Sequence, residues 1–484
     1  MKRILLIAPL TEQYSGIRNY GVPSIGVHRL ASFLSSWGNL VMVYDCNIDV
    51  KPKDFISVYK PLILESAIIG ISILNDTLAD SLEMFIKLRE LNPDALLVAG
   101  GAEAILNYQE IFDNSDVNIV ILGEGEEPML QLCCDVPLQD IGGIITRSRG
   151  PEINNKRLWN YYKDIDFLKM GWRQYWQKNW DDNDPNNKDK IVRLVTSSHC
   201  NRGCSFCSLT RLHEFSCGKK VKPAFLSGEQ IRVLIDRILE QLPETTHIYF
   251  VEDSILPTIS RIHDFCSALA PYKDRLKFMV QTETDKVSRD IIKELADAGV
   301  IHISFGVENC SPRIRKLMHK PQNEEKIENI ITWCNEFNIR CYYLIILFSP
   351  ESTIEDLRIN YETLTRWQTE GKVTVSVEPF MMPYKGADIY YQDYEFGYNI
   401  TKLSNGKVLK HPYIIYPKDH EVKKLMLEFK KQLPGCIDKF NDESGHRHRS
   451  KDHTGKVMVK LLGDLLNNNL WPEIRKEFTD NKFI

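Results

Sequence analysis

Two hydrophobic patterns alternate along this chain. Short runs that are apolar at nearly every position mark strands buried on both faces of a parallel sheet. Longer stretches with apolar residues three and four apart mark amphipathic helices. Over residues 1–150 the runs fall at 4–8, 40–44, 67–73, 95–101 and 117–126. Helices are predicted over 25–37, closed by Gly38 as a C-cap, and over 78–91. This β/α alternation predicts a doubly wound, Rossmann-like domain, whose ligands sit beyond the carboxyl ends of the strands. A second series follows, with strands predicted at 191–195, 247–251, 276–281, 301–305, 340–347 and 373–377. Helices are predicted between them at 228–241, 259–269, 288–298, 324–337 and 353–367. Six β/α units in succession predict a partial (βα)6 barrel of the TIM type over 191–400, with chemistry at the carboxyl ends of its strands. Residues 151–190 lose the periodicity and read as a linker holding a short aromatic helix. Residues 401–484 read as a mainly helical extension, with helices at 421–432 and 456–467, that closes the barrel mouth.

Composition narrows the class without naming a chemistry. The 484 residues are 43% hydrophobic and 26% charged, and 61 basic against 65 acidic side chains leave a net charge of -4. Mixed charge of this kind draws the chain neither to nucleic acid nor to a membrane surface. The basic start and apolar run at the N-terminus end at Thr11 without a small-residue cleavage site, so they read as a first buried strand and not as a signal peptide. No apolar run approaches the ~18 residues of a membrane span. Twelve scattered cysteines without a secretion signal point to reduced thiols in the cytoplasm. Trp159, Trp172, Trp176 and Trp180 are read as apolar plugs at the seam between domains, with stacking on a substrate as the alternative. The histidines of 446–453 are read as a solvated loop, with an anion-binding lid as the alternative.

Three cysteines stand apart. Cys200, Cys204 and Cys207 follow a predicted strand with gaps of three and two residues. So short a loop can bring three sulfurs to one face of a [4Fe–4S] cluster, leaving one iron open for chemistry on a bound molecule. A zinc knuckle or three buried cysteines are the alternatives; a knuckle wants a second Cys or His pair, and His199, His213 and Cys217 do not form one. The spacing, with Phe206 before the last cysteine, resembles the signature of the radical S-adenosylmethionine (radical SAM) superfamily. The resemblance implies that the open iron chelates SAM, and that one electron cleaves SAM to methionine and a 5′-deoxyadenosyl radical. It also implies a small-molecule substrate and an electron donor such as flavodoxin or ferredoxin. In the first domain, Pro23-Ser-Ile-Gly26, the 70–72 strand end, 99–101 and 123–126 resemble the cobalamin-binding domain that precedes many such barrels. By that resemblance Ser72, Gly100, Gly101, Gly123 and Glu124 are candidate cobalamin contacts. The Asp-x-His-x-x-Gly motif for a lower histidine ligand is absent, and the domain's lone histidine, His28, reads as a core or surface residue.

At the barrel strand ends the resemblance assigns Glu252 or Asp253 to the SAM ammonium group, with a helix cap as the ordinary alternative. Ser304 and Glu308 are assigned to its binding through Ser304-Phe-Gly-Val-Glu308, with Glu308 on the ribose and Phe206 against the adenine. The stretch 348–353 departs from the family's Gly-Leu-Pro-Gly-Glu-Thr, keeping Pro350 and Thr353. Glu283 and Glu378 are candidate proton- or radical-handling groups, with surface or salt-bridged carboxylates as the plain reading. The implied activity is cobalamin-dependent C-methylation in specialised metabolism. The alternatives are a cobalamin-independent dehydration or rearrangement of a sugar or aminoglycoside and, in another class, a cobalamin or redox sensor.

Overall fold

The computed structural model describes residues 2–10, 22–49, 55–151, 165–179, 189–252, 258–371, 373–444 and 451–467. Its first sheet consists of β1 (Arg3–Ala8), β2 (Leu40–Asp45), β3 (Ile68–Ser72), β4 (Leu96–Gly100), β5 (Ile119–Ile121) and β6 (Ile144–Thr146), in the order β2-β1-β3-β4-β5-β6. Strands β1 to β5 are parallel, and β6 pairs antiparallel with β5. Alternation along β1 explains why its apolar run is continuous. Leu5 and Ile7 enter a core with helices Phe55–Glu65 and Leu78–Leu91, whereas Ile4, Leu6 and Ala8 enter a second core with helices Ile25–Ser36 and Glu126–Cys133. The chain runs from β1 out to β2 and back to β3 on the other side of β1, which opens a crevice beyond their carboxyl ends.

The second sheet holds β7 (Ile191–Leu194), β8 (His247–Phe250), β9 (Lys277–Thr282), β10 (Val300–Glu308), β11 (Arg340–Phe348) and β12 (Thr374–Phe380) in unbroken sequence order. All are parallel, and β7 and β12 are edges, so the barrel is open. Odd positions of β10 and β11, among them Ile303, Phe305, Val307, Tyr343 and Ile345, pack into the core beneath the helices. The even positions face the barrel interior, where His302 stacks on Tyr342 at 4.1 Å between ring centroids. The segment 165–179 sits at the seam, as read from the sequence. Trp172 and Trp176 are buried in the barrel core, and Asp166 N reaches Ser32 Oγ of the first unit at 3.2 Å. Trp159 and Trp180 lie outside the described residues, as do 446–450 of the histidine loop.

Three features depart from the sequence reading. The short β6 was not anticipated, because three residues are too few to show a period. The extension also contains a hairpin, β13 (Phe396–Lys402) and β14 (Val408–Ile415), ahead of helices His420–Ser444 and Lys451–Asn467. Finally, the last helix lies along the free edge of β12 rather than over the mouth: a Cβ on Gly455 would strike the Val375 carbonyl oxygen, so only glycine allows this approach. The hairpin reaches the first unit instead, burying Leu403 and Leu409 in that unit's core.

Candidate active site

The cysteine loop leaves β7 and turns across the barrel mouth. Gly203 takes φ +75°, a conformation L-residues rarely adopt, and Cys207 N donates to Cys204 O at 3.1 Å, folding the loop back on itself. Ser205 fastens it below: its N donates to Met318 O (3.0 Å), its Oγ to Leu317 O (3.1 Å), and its O accepts from Ile389 N (2.9 Å). Arg202 fastens it sideways, with Nη1 2.6 Å from Glu283 Oε2 and 2.7 Å from Asp285 Oδ1, beyond the end of β9. Cys200 Sγ lies 3.8 Å from the other Glu283 oxygen. Cys200, Cys204 and Cys207 are reduced thiols, each partly exposed at the mouth. A fixed loop presenting three partly exposed thiols fits a cluster held by three cysteines. The nearby histidines are otherwise engaged: His199 and His213 stack on each other at 4.0 Å, and burial lowers the pKa of His213 to about 4. Phe206 is half-buried in an apolar cluster with Ile346, Met381 and Ile389.

The other candidates of the barrel divide by depth. Glu308 ends β10 with φ +70°, and Lys320 Nζ binds its carboxylate at 2.5 Å in an almost fully buried pair. The pair explains the glycine two residues earlier, because a Cβ on Gly306 would collide with both the Glu308 carboxylate and the Lys320 ammonium. Glu252 ends the β8 segment; its Oε1 accepts from Thr196 N at 2.6 Å, and its buried Oε2 has no hydrogen-bond partner. Burial raises the pKa of this carboxyl. Asp253 lies outside the described residues. Ser304 is not at the mouth. It bonds His302 Nε2 at 2.9 Å inside the barrel, on the order of 10 Å below Glu308 at the rise of a strand. Glu283 is committed to Arg202, which makes it a holder of the cysteine loop in this structure.

In the first unit, Ser72, Gly100, Gly101, Gly123 and Glu124 all line one cavity of about 250 Å³. Gly101, at φ +93°, has no room for a Cβ, which would stand 2.5 Å from Ile73 O. Gly70 forms part of the wall, where a Cβ would come within 3.0 Å of Leu6. Arg29 pairs with both Glu124 and Glu126 at the rim. Glu126 Oε2 is buried there without a hydrogen-bond partner, a polar atom that a ligand group can meet. His28 is buried in the core, with Nε2 3.2 Å from Asp45 Oδ2.

A further cavity, about 320 Å³, lies where the two sheets meet. Asn75, Asp76 and Glu103 come from the strand ends of the first sheet; Ser208, Glu378 and Lys385 come from the barrel mouth. Glu103 is 5% exposed, and burial pushes its pKa up to about 7.

Comparison with known proteins bears on the barrel. Residues 194–364 match the Radical SAM superfamily. These residues of the barrel are a radical SAM domain. It is 20% identical over 335 residues to the cytidylyl-2-hydroxyethylphosphonate methyltransferase of Streptomyces wedmorensis, a match covering 61% of each chain. The matched region thus spans under two thirds of that relative's length. An uncharacterised protein of Methanocaldococcus jannaschii is 24% identical over 481 residues, covering 94% of this chain and 96% of its own. Among solved structures, the methyltransferase TsrM of Kitasatospora setae, with tryptophan and a SAM analogue bound, superposes with a TM-score of 0.68 at 12% identity over 99% of both chains. The cobalamin-dependent enzyme OxsB, with aqua-cobalamin bound, gives 0.68 at 16% identity over 99% of this chain and 75% of its own. These structures share the fold of both units.

The two candidate sites also hold residues that the sequence did not disclose. Lys320 has no motif around it, and its partner Glu308 is twelve positions earlier. Glu103 follows the glycine pair of β4 and reads as an ordinary helix-start acid. His411 arrives from the hairpin, placing Nε2 3.0 Å from Asn75 Nδ2. The signals that pointed near them were Glu308 for Lys320, and the glycine pair 100–101 and Glu378 for Glu103.

Proposed function

We propose that this radical SAM enzyme is a cobalamin-dependent C-methyltransferase, with residues 1–150 as the cobalamin-binding unit, 151–190 as linker, 191–400 as the SAM unit and 401–484 as an extension. The reading rests chiefly on the cavity between the sheets: Ser208, next to the last cysteine of the loop, and Glu103, beyond the glycine pair of β4, line the same space. A substrate there is within reach of ligands held at both sets of strand ends. Cys200, Cys204 and Cys207 would hold the cluster. Phe206, Glu252, Glu308 and Lys320 would hold SAM, with Lys320 as the cation for its carboxylate. Ser72, Gly100, Gly101, Gly123 and Glu124 would hold cobalamin, while His28 is engaged by Asp45 in the core. Once bound, the cluster and SAM supply a carbon-centred radical, and cobalamin supplies a methyl group. The protein's part is to orient these groups around the cavity and exclude water. The methyltransferase relative and the cobalamin-bound neighbour support this assignment. Electrons would come from a cytoplasmic carrier such as flavodoxin or ferredoxin.

A dehydration or rearrangement draws support from one observation: Glu103, with its pKa near 7, is suited to passing a proton. Methyl-labelled SAM separates the readings. Reduced, cluster-loaded protein is expected to bind cobalamin with a base-off spectrum, form 5′-deoxyadenosine and place label in the product. An unlabelled, dehydrated product formed without cobalamin would overturn methyl transfer.

A further inference from the structure

A basic segment borders the cysteine loop. Residues 211–222 carry Arg211, Lys219, Lys220 and Lys222 against the single carboxylate of Glu214, in a chain whose net charge is -4. The segment is stitched to the loop on both sides. Helix Leu209–Cys217 starts two residues after Cys207, and Thr210 Oγ1 donates to Cys200 O at 3.5 Å. Beyond the helix the chain returns beside the residues that precede Cys200. Val221 O lies 3.3 Å from His199 Nε2, Ser198 N donates to Ala224 O at 2.9 Å, and Ala224 N donates to Ser198 Oγ at 2.9 Å. Lys220 and Lys222 thus flank a residue whose carbonyl meets the neighbour of Cys200. The three lysines are exposed. Lys219 and Lys222 pair with no carboxylate among the described residues, and Lys220, its side chain 87% exposed, has Glu214 at 3.7 Å, a pair worth little in water. Arg211 is shared between Glu214 and Asp388. On the other flank of the loop the charges pair with one another: Arg202 with Glu283 and Asp285, and Lys286 with Asp285. The inner side of helix Leu209–Cys217 is closed by the first unit, where Leu212 joins the core and Phe215 stacks on Tyr108 at 6.2 Å. A carrier protein cannot enter a cavity of about 320 Å³, so an electron reaches the loop from its flank. Exposed charges of one sign steer such a partner, and a transient redox encounter needs little buried area.

We propose that Lys219, Lys220 and Lys222 form the docking surface for a small acidic one-electron carrier protein that reduces the cluster. The proposal rests on the reading of Cys200, Cys204 and Cys207 as cluster ligands. The step is electron transfer alone: the carrier is oxidised by one electron, the cluster is reduced by one, and no bond forms or breaks. Stopped-flow reduction of anaerobic, cluster-loaded full-length protein tests it, with reduced flavodoxin and reduced methyl viologen as donors. With flavodoxin at low ionic strength, the double variant Lys219→Glu, Lys222→Glu is expected to lower the second-order rate constant about tenfold, and the difference is expected to narrow in about 0.5 M salt. Methyl viologen, a small cation, is expected to reduce the variant at least as fast as the wild type. A flavodoxin rate unchanged by the substitutions, a loss that salt does not narrow, or an equal loss with methyl viologen would overturn the proposal. So would a wild-type cluster that methyl viologen reduces and flavodoxin does not. Cluster absorption of the wild-type preparation reads the underlying assignment separately. If no cluster forms, the reading of the cysteines is at fault; if it forms and flavodoxin is indifferent to the lysines, the docking surface fails and the cluster stands.

Discussion

Each cysteine of the loop has a distinct setting, yet the chemistry asks the same of all three. Cys200 is beside Glu283, Cys204 accepts from the amide of Cys207 through its carbonyl, and Cys207 is followed by Ser208 on the cavity wall. A cluster bound through three sulfurs loses a ligand with any one of them. Ala at Cys200, Cys204 or Cys207 should therefore abolish iron–sulfur absorption in reconstituted protein. Cys217→Ala, outside the loop's spacing, should keep it. A full cluster spectrum from Cys204→Ala would sink the assignment. The three cysteines were legible because their spacing is local. Lys320 was not legible, because its meaning lies in an ion pair with Glu308 that the return of the chain to the barrel mouth creates.

At the level of elements, the stretch 348–353 shows what a departure from a family pattern can hide. In place of glycines it folds a polar turn: Ser349 N donates to Ser352 Oγ (3.1 Å) and Ser352 N to Ser349 O (3.0 Å). Thr353 then caps helix Ile354–Glu370, its Oγ1 accepting from Asp356 N at 3.3 Å while Asp356 returns the bond to Thr353 N at 2.8 Å. Asp356 also accepts from Ser311 Oγ at 2.6 Å and pairs with Arg313, and these bonds hold its pKa down to about 2. The turn therefore connects the β10 and β11 ends of the mouth. Thr353→Ala should destabilise the fold by about 1 kcal/mol, the usual loss for an N-cap. Thr353→Ser, which keeps the oxygen, should recover most of it. A thermal-melting shift equally large for both variants would count against the cap. The helix was legible from its period over 353–367; the bond of Asp356 to Ser311 was not, since 45 residues separate the partners.

Across the whole molecule, the two units are joined by more than the seam at 165–179. The β13–β14 hairpin leaves the barrel and buries Leu403 and Leu409 among residues of the first unit, and Leu212 does the same from helix Leu209–Cys217. Polar bonds at the hairpin tip add to this, with Ser404 N donating to Glu83 at 3.0 Å and Asn405 Nδ2 to Asn114 O at 3.0 Å. The hairpin is also what brings His411 to Asn75. Leu403→Ala removes a buried side chain and should cost about 2–5 kcal/mol locally. Hydrogen exchange should quicken in helix Tyr108–Asn114 and at the hairpin, while β9, β10 and β11 keep their protection. Loosening of the barrel strands to the same degree would show that the hairpin is not a link between units.

The sequence by itself determined whatever is carried by neighbours along the chain. Strands buried on two faces are apolar at every position, helices show their period and caps, and three thiols on one short loop need no fold to be seen together. On that ground the parallel strands of both sheets and the cysteine loop were readable. The tertiary structure decided what depends on distant segments meeting. It committed Glu283 to Arg202 and left Ser304 deep in the barrel, because strand register sets how far along its strand each side chain stands. It turned part of the extension into a hairpin and set the last helix against the β12 edge, because buried apolar surface and an open strand edge are needs that no local period announces. It also assembled Asn75, Glu103 and His411, three unremarkable residues in sequence, around a cavity that exists only where the two units face each other.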